Sequence, residues 1–477
     1  MSDASLHTHV VGFVDDDADK LGSLICNIRV LGDRTCLPKV FEQFQVEELI
    51  VAIKDLPGNA LSEVLAMARA AKVRPKLVSD LAYGGAGEKF EMLRDVSLDD
   101  LLKRPKANID LTDISRACQD RTILITGAGG SIGSEIARQV AQFGPARLLL
   151  LDHSEFNLYS IDHELRAVMG DSSLIVPLLV DLRDREALRR IMLEHRPQIV
   201  FHAAAYKHVH LVEYNPNSAI LNNVQGMRNL LDFSKELNVE RFVLISTDKA
   251  VNPAGVMGAT KRLCELMMAQ AARETGRLYC AVRFGNVVGS SGSLIPLLKK
   301  QIRDGGPVTI TNENMTRYFM LIREAVSLVL MASTTAGPGD ICILKMGEPI
   351  RIVDIARNLI TLLGKTEKEV PIVFIGTRPG EKLHEELYLS GEEIDTHHAD
   401  ILLLPKGGQE SMTLVQRGDF LERAVHRLIE DAQAGLAEAK HDLMTMVRPA
   451  QIDRPTGNDS RSADEIFAGT ALPATAN

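Results

Sequence analysis

The chain predicts an α/β fold, a parallel sheet with helices on both faces, and three observations carry that expectation. Apolar runs such as LLLLD (148–152), IVFHAAA (199–205) and FVLIST (242–247) alternate with amphipathic stretches of helical length. One segment, RTILITGAGGSIGSEIARQVAQFG (121–144), reads as strand, glycine loop and helix in succession. Several runs also end in small or polar residues, at the strand ends where open α/β sheets hold ligands.

The bulk numbers agree with a large enzyme-sized protein. The 477 residues suffice for two or three domains, and 45% hydrophobic content allows large cores. A net charge of −9, with both signs spread along the chain, argues against a dedicated nucleic-acid binder, because phosphate contacts need concentrated positive charge. It leaves room for a local basic pocket. Six cysteines (26, 36, 118, 264, 280 and 342) form no CxxC pair, so neither a zinc ribbon nor a disulfide framework is indicated, and a reducing, cytoplasmic setting fits. The start, MSDASLHTHV, is no signal peptide, and no run approaches the ~18 apolar residues of a spanning helix.

Taken in order, residues 9–110 form a small α/β unit. VVGFVDDD and EELIVAIKD read as strands ending in acids, LSEVLAMARAAKV as a helix and RPKLVSD as a further strand, without a glycine-rich phosphate loop. Residues 120–404 carry the recognisable chemistry. Residues 405–450 are polar, then helical, and 451–477, rich in Ala, Thr, Asp and Ser, read as a disordered tail. No internal repeat is found.

In the glycine segment, Gly127, Gly130 and Gly133 follow a TGxxGxxG spacing that begins at Thr126. Glycines there let the backbone turn tightly and approach a pyrophosphate, whose charge the amides at the helix N-terminus solvate. Thr126, Gly127, Gly130, Ser131, Ile132 and Gly133 are therefore candidate cofactor residues. The second strand ends in Asp152, about 20 residues on, followed by His153 and Ser154. A carboxylate there accepts from adenosine ribose hydroxyls and repels a 2′-phosphate, which favours NAD over NADP, although Arg183 and Lys207 lie further along. LIVPLLVDLRD places Asp181 and Leu182 at a third strand end, within reach of an adenine amino group. Ala203 and Ala204 end the next strand and are small enough to let a dinucleotide lie close. These features predict a doubly wound, Rossmann-type sheet.

RFVLISTDKAV is a further strand, with Thr247, Asp248 and Lys249 at its C-terminal end. The helix that follows presents Met257 and Lys261 one turn apart on one face. Lys261 can hydrogen-bond a nicotinamide ribose. Met257 stands where enzymes of this layout usually carry a tyrosine, and a thioether cannot move a proton. Met257 is read as lining the site, with core packing as the alternative. His208 and His210, spaced i, i+2 with no third ligand, do not make a metal site.

The glycine loop, STDKAVNPAGVMGATKR, RFGNVVGSSGSLIPLL, MTRYFM and RPGEKLHEEL together resemble the UDP-N-acetylglucosamine 4,6-dehydratases of the extended short-chain dehydrogenase/reductase family, in particular its long polysaccharide-biosynthesis branch, in which methionine replaces the tyrosine. The resemblance runs from about Gly12 to Leu404. It implies a tightly bound, recycled NAD and a smaller C-terminal part that binds the UDP-sugar. Asp248 would be the acid at O6 and Lys249 the base at C5, with Thr247 at the C4 oxygen. An ammonium is a base only after losing its proton, which burial beside Lys261 and the nicotinamide favours and Asp248 opposes. The C4 hydroxyl proton, with no tyrosine to take it, would pass to Thr247 and onward, to Asp248 or to water.

On the substrate side the resemblance implies Lys207 and Asn222 at the cofactor–sugar boundary. Asn286 and the backbone of Ser291, Gly292, Ser293, Leu294 and Ile295 would meet the diphosphate, with Val308 near the uracil. Arg317 and Arg378 would neutralise phosphate, and Glu381 would accept from ribose hydroxyls. Relatives of the long branch carry membrane-spanning helices and a complete Rossmann-like domain with its own glycine loop. Residues 9–110 are accordingly expected as a truncated Rossmann-like domain, with the native protein soluble or held at the cytoplasmic face of the inner membrane. A homo-oligomer is the default for such an enzyme. Competing functions are a C5-inverting dehydratase, a UDP-sugar 4-epimerase and a non-catalytic NAD-binding scaffold of a glycan assembly.

Overall fold

A computed structural model describes residues 9–53, 56, 58–78, 93–95, 100, 111–169, 172–290, 292–389, 394–395, 399–405 and 418–447. The expected tail at 451–477 lies outside the described residues. The chain divides into two compact units. One comprises Met1–Asn108, Gly292–Glu313 and Ile350–Ile375; the other comprises Ile109–Ser291, Asn314–Pro349 and Gly376–Asn477. Two stretches from within 120–404 thus belong to the compact unit of the N-terminal residues.

In that first unit, Phe13–Val14 pairs in parallel with Ile28–Gly32, which also pairs antiparallel with Leu24–Ile25. Glu48–Val51 and Arg74–Val78 pair in parallel, and Leu93–Asp95 adds an antiparallel edge. The expected helix appears as Gly58–Ala70. These strands form two separate three-stranded sheets. Val308–Ile310 pairs in parallel with Ile372–Phe374 in the same unit.

The second unit holds a nine-stranded sheet. Its strands are β1 (Thr122–Thr126), β2 (Arg147–Asp152), β3 (Ile175–Leu179), β4 (Ile199–His202), β5 (Arg241–Ile245), β6 (Leu278–Arg283), β7 (Ile341–Leu344), β8 (Ile394–Asp395) and β9 (Ile401–Leu404). Their spatial order is 3-2-1-4-5-6-7-9-8. Strands β1 to β7 run parallel, and β9 and β8 close the edge antiparallel. This is the doubly wound, Rossmann-type order, in which the chain reverses direction between β1 and β4.

The residues explain the layout. Strands β4 and β7 are buried along their whole length, as are all but the first residues of β1, β2, β5 and β6, so they read as unbroken apolar runs. Strand β3 is buried only at Ile175, with half-buried and exposed positions alternating after it, and tolerates Pro177, because it has a neighbour on one side only. The helices Gly418–Gln433 and Glu438–Met446 are part of this unit's core rather than an appendage. Leu421, Val425, Leu428, Ile429 and Ala432 recur at helical spacing and join the cluster that holds Leu231, Met267 and Ala271. No described helix is long and apolar enough to cross a membrane.

Candidate active site

The crevice between β1 and β4 begins with the glycine loop. Gly127 has a φ of +66°, and a Cβ there would stand 2.8 Å from the backbone of Ala204, so neither the turn nor the neighbouring strand end admits a side chain. A Cβ at Gly133 would meet the Gly127 carbonyl at 2.0 Å, which is how the helix Ser131–Ala141 packs against the loop it follows. Gly130 caps that helix without a side-chain hydrogen bond, leaving its first turn to another partner. Ser131 and Ile132 open the helix, half-buried.

Asp152 has a structural task besides any ribose contact. Its Oδ2 accepts from the Gly129 amide at 2.9 Å and its Oδ1 from the Ser154 amide at 2.9 Å, so it ties the end of β2 to the glycine loop. His153 is exposed, and Ser154 caps the helix Glu155–Val168. Thr126 is fully buried, and its hydroxyl bonds His202 Nδ1 at 2.7 Å. Its side chain therefore braces β1 to β4 rather than facing the loop. Burial, and then the charge of Lys261, bring the His202 imidazole down to about 3, so it is neutral at neutral pH.

Asp181 has a partner of its own. Arg183 grips its carboxylate, with Nη2 to Oδ2 at 2.6 Å, and this hydrogen bond holds the carboxyl below its ordinary range. The carboxylate read as an adenine partner already has a guanidinium partner. Leu182 is buried, and its carbonyl accepts from Asn229. Ala203 and Ala204 sit half-buried at the end of β4, and Lys207 is exposed beyond them. Asn222 lies in a π-helical turn, Ile220–Gln225, and donates to Asn223 Oδ1 at 3.0 Å. Asn223, absent from the sequence reading, is buried and joins the Tyr206 backbone to the Thr260 hydroxyl.

After β5 the chain makes a single 3₁₀ turn, Asp248–Ala250, anchored by the Asp248 amide on the Phe284 carbonyl at 3.1 Å. Asp248 is fully buried. Its Oδ1 accepts from Thr247 Oγ1 at 2.8 Å and from Lys249 Nζ at 2.9 Å, while its Oδ2 meets no donor among the described residues. Lys249 Nζ also reaches Asn286 Oδ1 at 3.4 Å and lies 3.5 Å from Glu385 Oε1. Sequence reading missed Glu385: nothing in HEEL separates this buried carboxylate from its exposed neighbour Glu386.

The helix Val256–Thr275 packs directly on this turn, because a Cβ at Gly258 would lie 2.1 Å from the Lys249 carbonyl. Lys261, buried on that helix, has its ammonium pKa lowered by burial, with Cys264 and Glu265 acting in the opposite sense. Met257 is buried in the hydrophobic core. That burial accords with core packing, the alternative read from the sequence. Behind the turn, Glu265 receives Ser246, Arg283 and Arg262. Burial pushes Glu265 up, but the two guanidiniums and the serine outweigh it and bring the carboxyl to about 2.

The remaining substrate candidates divide. Arg317 is buried and donates to the carbonyls of Thr316, Leu383 and Lys382, with its Nε 3.7 Å from Glu385 Oε1. It clamps the segment around residue 383. Arg378 is exposed, and Glu381 accepts from the Arg378 amide at 3.2 Å. Gly292, Ser293, Leu294, Ile295 and Val308 belong to the first unit. There Ser293 caps the helix Leu294–Arg303, with its own hydroxyl buried and unpartnered among the described residues, and Val308 is fully buried. Ser291 lies outside the described residues.

Residues 123–405 match the polysaccharide biosynthesis protein family. The chain belongs to that family. It is 45% identical over 382 residues to the capsular polysaccharide biosynthesis protein CapD of Staphylococcus aureus, covering 80% of this chain and 64% of CapD. The chain thus spans less than two thirds of that relative's length. It is 35% identical over 280 residues to the UDP-glucose 4-epimerase of Rickettsia rickettsii, covering 57% of this chain and 79% of the epimerase. Among solved structures, the X-ray structure of Pen from Bacillus thuringiensis matches with a TM-score of 0.56 at 32% identity, covering 60% of this chain and 88% of Pen. The family match spans both the glycine loop and the Thr247–Lys249 turn.

Proposed function

We propose that the chain is an NAD-dependent UDP-N-acetylglucosamine 4,6-dehydratase that retains configuration at C5 and supplies deoxyamino sugars for surface glycans. The observation that carries this reading is the Asp248–Lys249 pair. A fully buried carboxylate and an amine 2.9 Å apart stand at the C-terminal end of a central parallel strand, and one carboxylate oxygen still lacks a donor.

The glycine loop fits a dinucleotide. Its turn has no room for side chains, its helix N-terminus has no side-chain cap, and Asp152 keeps lone pairs for ribose hydroxyls while opposing a 2′-phosphate. Gly127, Gly130, Gly133, Asp152, Ala203 and Lys261 would hold it. When bound, NAD would supply a hydride acceptor for oxidation at C4 and a hydride donor for reduction at C6.

The chain's own residues handle the protons. The hydrogen bond from Thr247 to Asp248 offers the route that the missing tyrosine leaves open. A proton leaving the C4 hydroxyl passes through Thr247 to Asp248, which is then armed as an acid. With C4 a ketone, the C5 proton becomes acidic, and Lys249, as the free amine, takes it. Asp248 protonates O6, the C6–O6 bond breaks and water leaves. Lys249 then returns a proton to C5 on the face it came from, which retains configuration.

A second reading, a UDP-sugar 4-epimerase, rests on the identity to the Rickettsia rickettsii protein. An epimerase needs no base at C5. Mass spectrometry after incubation with UDP-N-acetylglucosamine separates the two. The dehydratase yields a product lighter by one water, and the epimerase leaves the mass unchanged. A sugar of unchanged mass whose NMR spectrum also shows no 4-epimer would overturn both.

A further inference from the structure

Lys249 has a carboxylate on either hand, and the second one has no part in the chemistry above. Glu385 sits in a turn-rich segment, 7% exposed. Its Oε1 lies 3.5 Å from Lys249 Nζ and 3.7 Å from Arg317 Nε, and its Oε2 is buried without a donor among the described residues. Burying a carboxylate costs several kcal/mol unless cations and donors offset it. Here the cations are the proposed base and an arginine whose other hydrogen bonds hold the same segment in place.

The count of donors gives this arrangement a purpose. An ammonium has three N–H groups and a neutral amine has two. Lys249 Nζ faces three acceptors: Asp248 Oδ1 at 2.9 Å, Asn286 Oδ1 at 3.4 Å and Glu385 Oε1 at 3.5 Å. We propose that Glu385 is a positioning residue for Lys249: with Asp248 it takes the two N–H groups that remain once the amine is neutral, so that the lone pair is left clear of both carboxylates. A lysine on a flexible four-carbon stem would otherwise point its lone pair in many directions. Arg317, with its Nε 3.7 Å from Glu385 Oε1, offsets part of the charge of that buried carboxylate.

The proposal rests on the dehydratase reading, and two readouts keep the two apart. The first is independent of activity: labelling of Lys249 by acetic anhydride, measured by peptide mass spectrometry against Lys440 in the full chain. Glu385→Gln should raise Lys249 labelling about fivefold while Lys440 stays unchanged, because a charged partner has gone. The second is turnover of UDP-N-acetylglucosamine. Glu385→Gln should lower kcat about a hundredfold, the scale of a misplaced catalytic group. Its acid limb should move to lower pH, since an anion favouring the charged amine is lost. Glu385→Asp, which keeps the charge, should keep the wild-type pH profile and recover part of the rate; it also serves if the glutamine variant folds poorly. Unchanged labelling, or an unmoved acid limb in an active variant, overturns the proposal. If the wild type leaves the sugar intact, the dehydratase reading fails, and the labelling ratio alone decides whether Glu385 holds Lys249.

Discussion

Asp248 and Glu265 show two uses of a buried carboxylate. Glu265 is saturated by Arg283, Arg262 and Ser246 and works as a structural brace. Asp248 has one oxygen engaged and one open, the arrangement a proton donor needs. Glu265 and His202 both make the fold acid-sensitive. The imidazole of His202 takes a proton below about pH 6.5 when the chain is unfolded, but only near 3 when folded, so protons favour the unfolded state as the pH falls between those values. Glu265, held near 2 against an ordinary 4.5, contributes stability above 4.5 that is lost as the pH falls toward 2. Thermal unfolding should therefore show a loss of stability from pH 6.5 toward 3 that His202→Gln removes, and a further loss between 4.5 and 2 that persists in that variant. A wild type equally stable at pH 7 and pH 5 would contradict this.

At the scale of elements, the site depends on one close approach. The helix Val256–Thr275 reaches the Lys249 carbonyl only because residue 258 has no side chain. Gly258→Ala should cost about 1–3 kcal/mol of stability, as overpacked core positions do. It should also depress turnover more than cofactor binding, by displacing Lys249. Calorimetry and turnover at saturating substrate check both, and a variant that matches the wild type in each would remove the claim. Elements of this kind were legible from the sequence where local pattern decides structure. Strands β1, β2, β4 and β5 are unbroken apolar runs because both their faces are buried, and the glycine loop is dictated by backbone space. RPGEK was not legible. It reads as a turn opening a helix, yet no helix is found in residues 376–389, where Arg317 holds the carbonyls of Lys382 and Leu383. Glu385 escaped for the same reason, since its burial is set by Lys249 and Arg317, far away in sequence.

Across the whole molecule, the second unit gathers its chemistry from distant segments. The glycine loop follows β1, the acid–base pair follows β5, and Glu385 comes from beyond β7. The C-terminal helices complete the core beneath them. Lys440 pairs at 2.8 Å with Glu213, whose other oxygen accepts from the Val256 amide at the start of the helix carrying Lys261. Composition and periodicity could not reveal that residues 418–447 finish this core, or that residues 292–313 and 350–375 join the N-terminal residues, because both depend on contacts between segments far apart in sequence. The central claim is that this assembly moves protons at C5 and O6 through Lys249 and Asp248. Its most direct test is NMR of the product formed from UDP-N-acetylglucosamine in deuterated water, comparing the wild type with Lys249→Ala at equal cofactor occupancy. The wild type should yield a 4-keto-6-deoxy sugar with solvent deuterium at C5, and the variant should yield none. A variant that forms the C5-deuterated product at close to the wild-type rate would contradict the account.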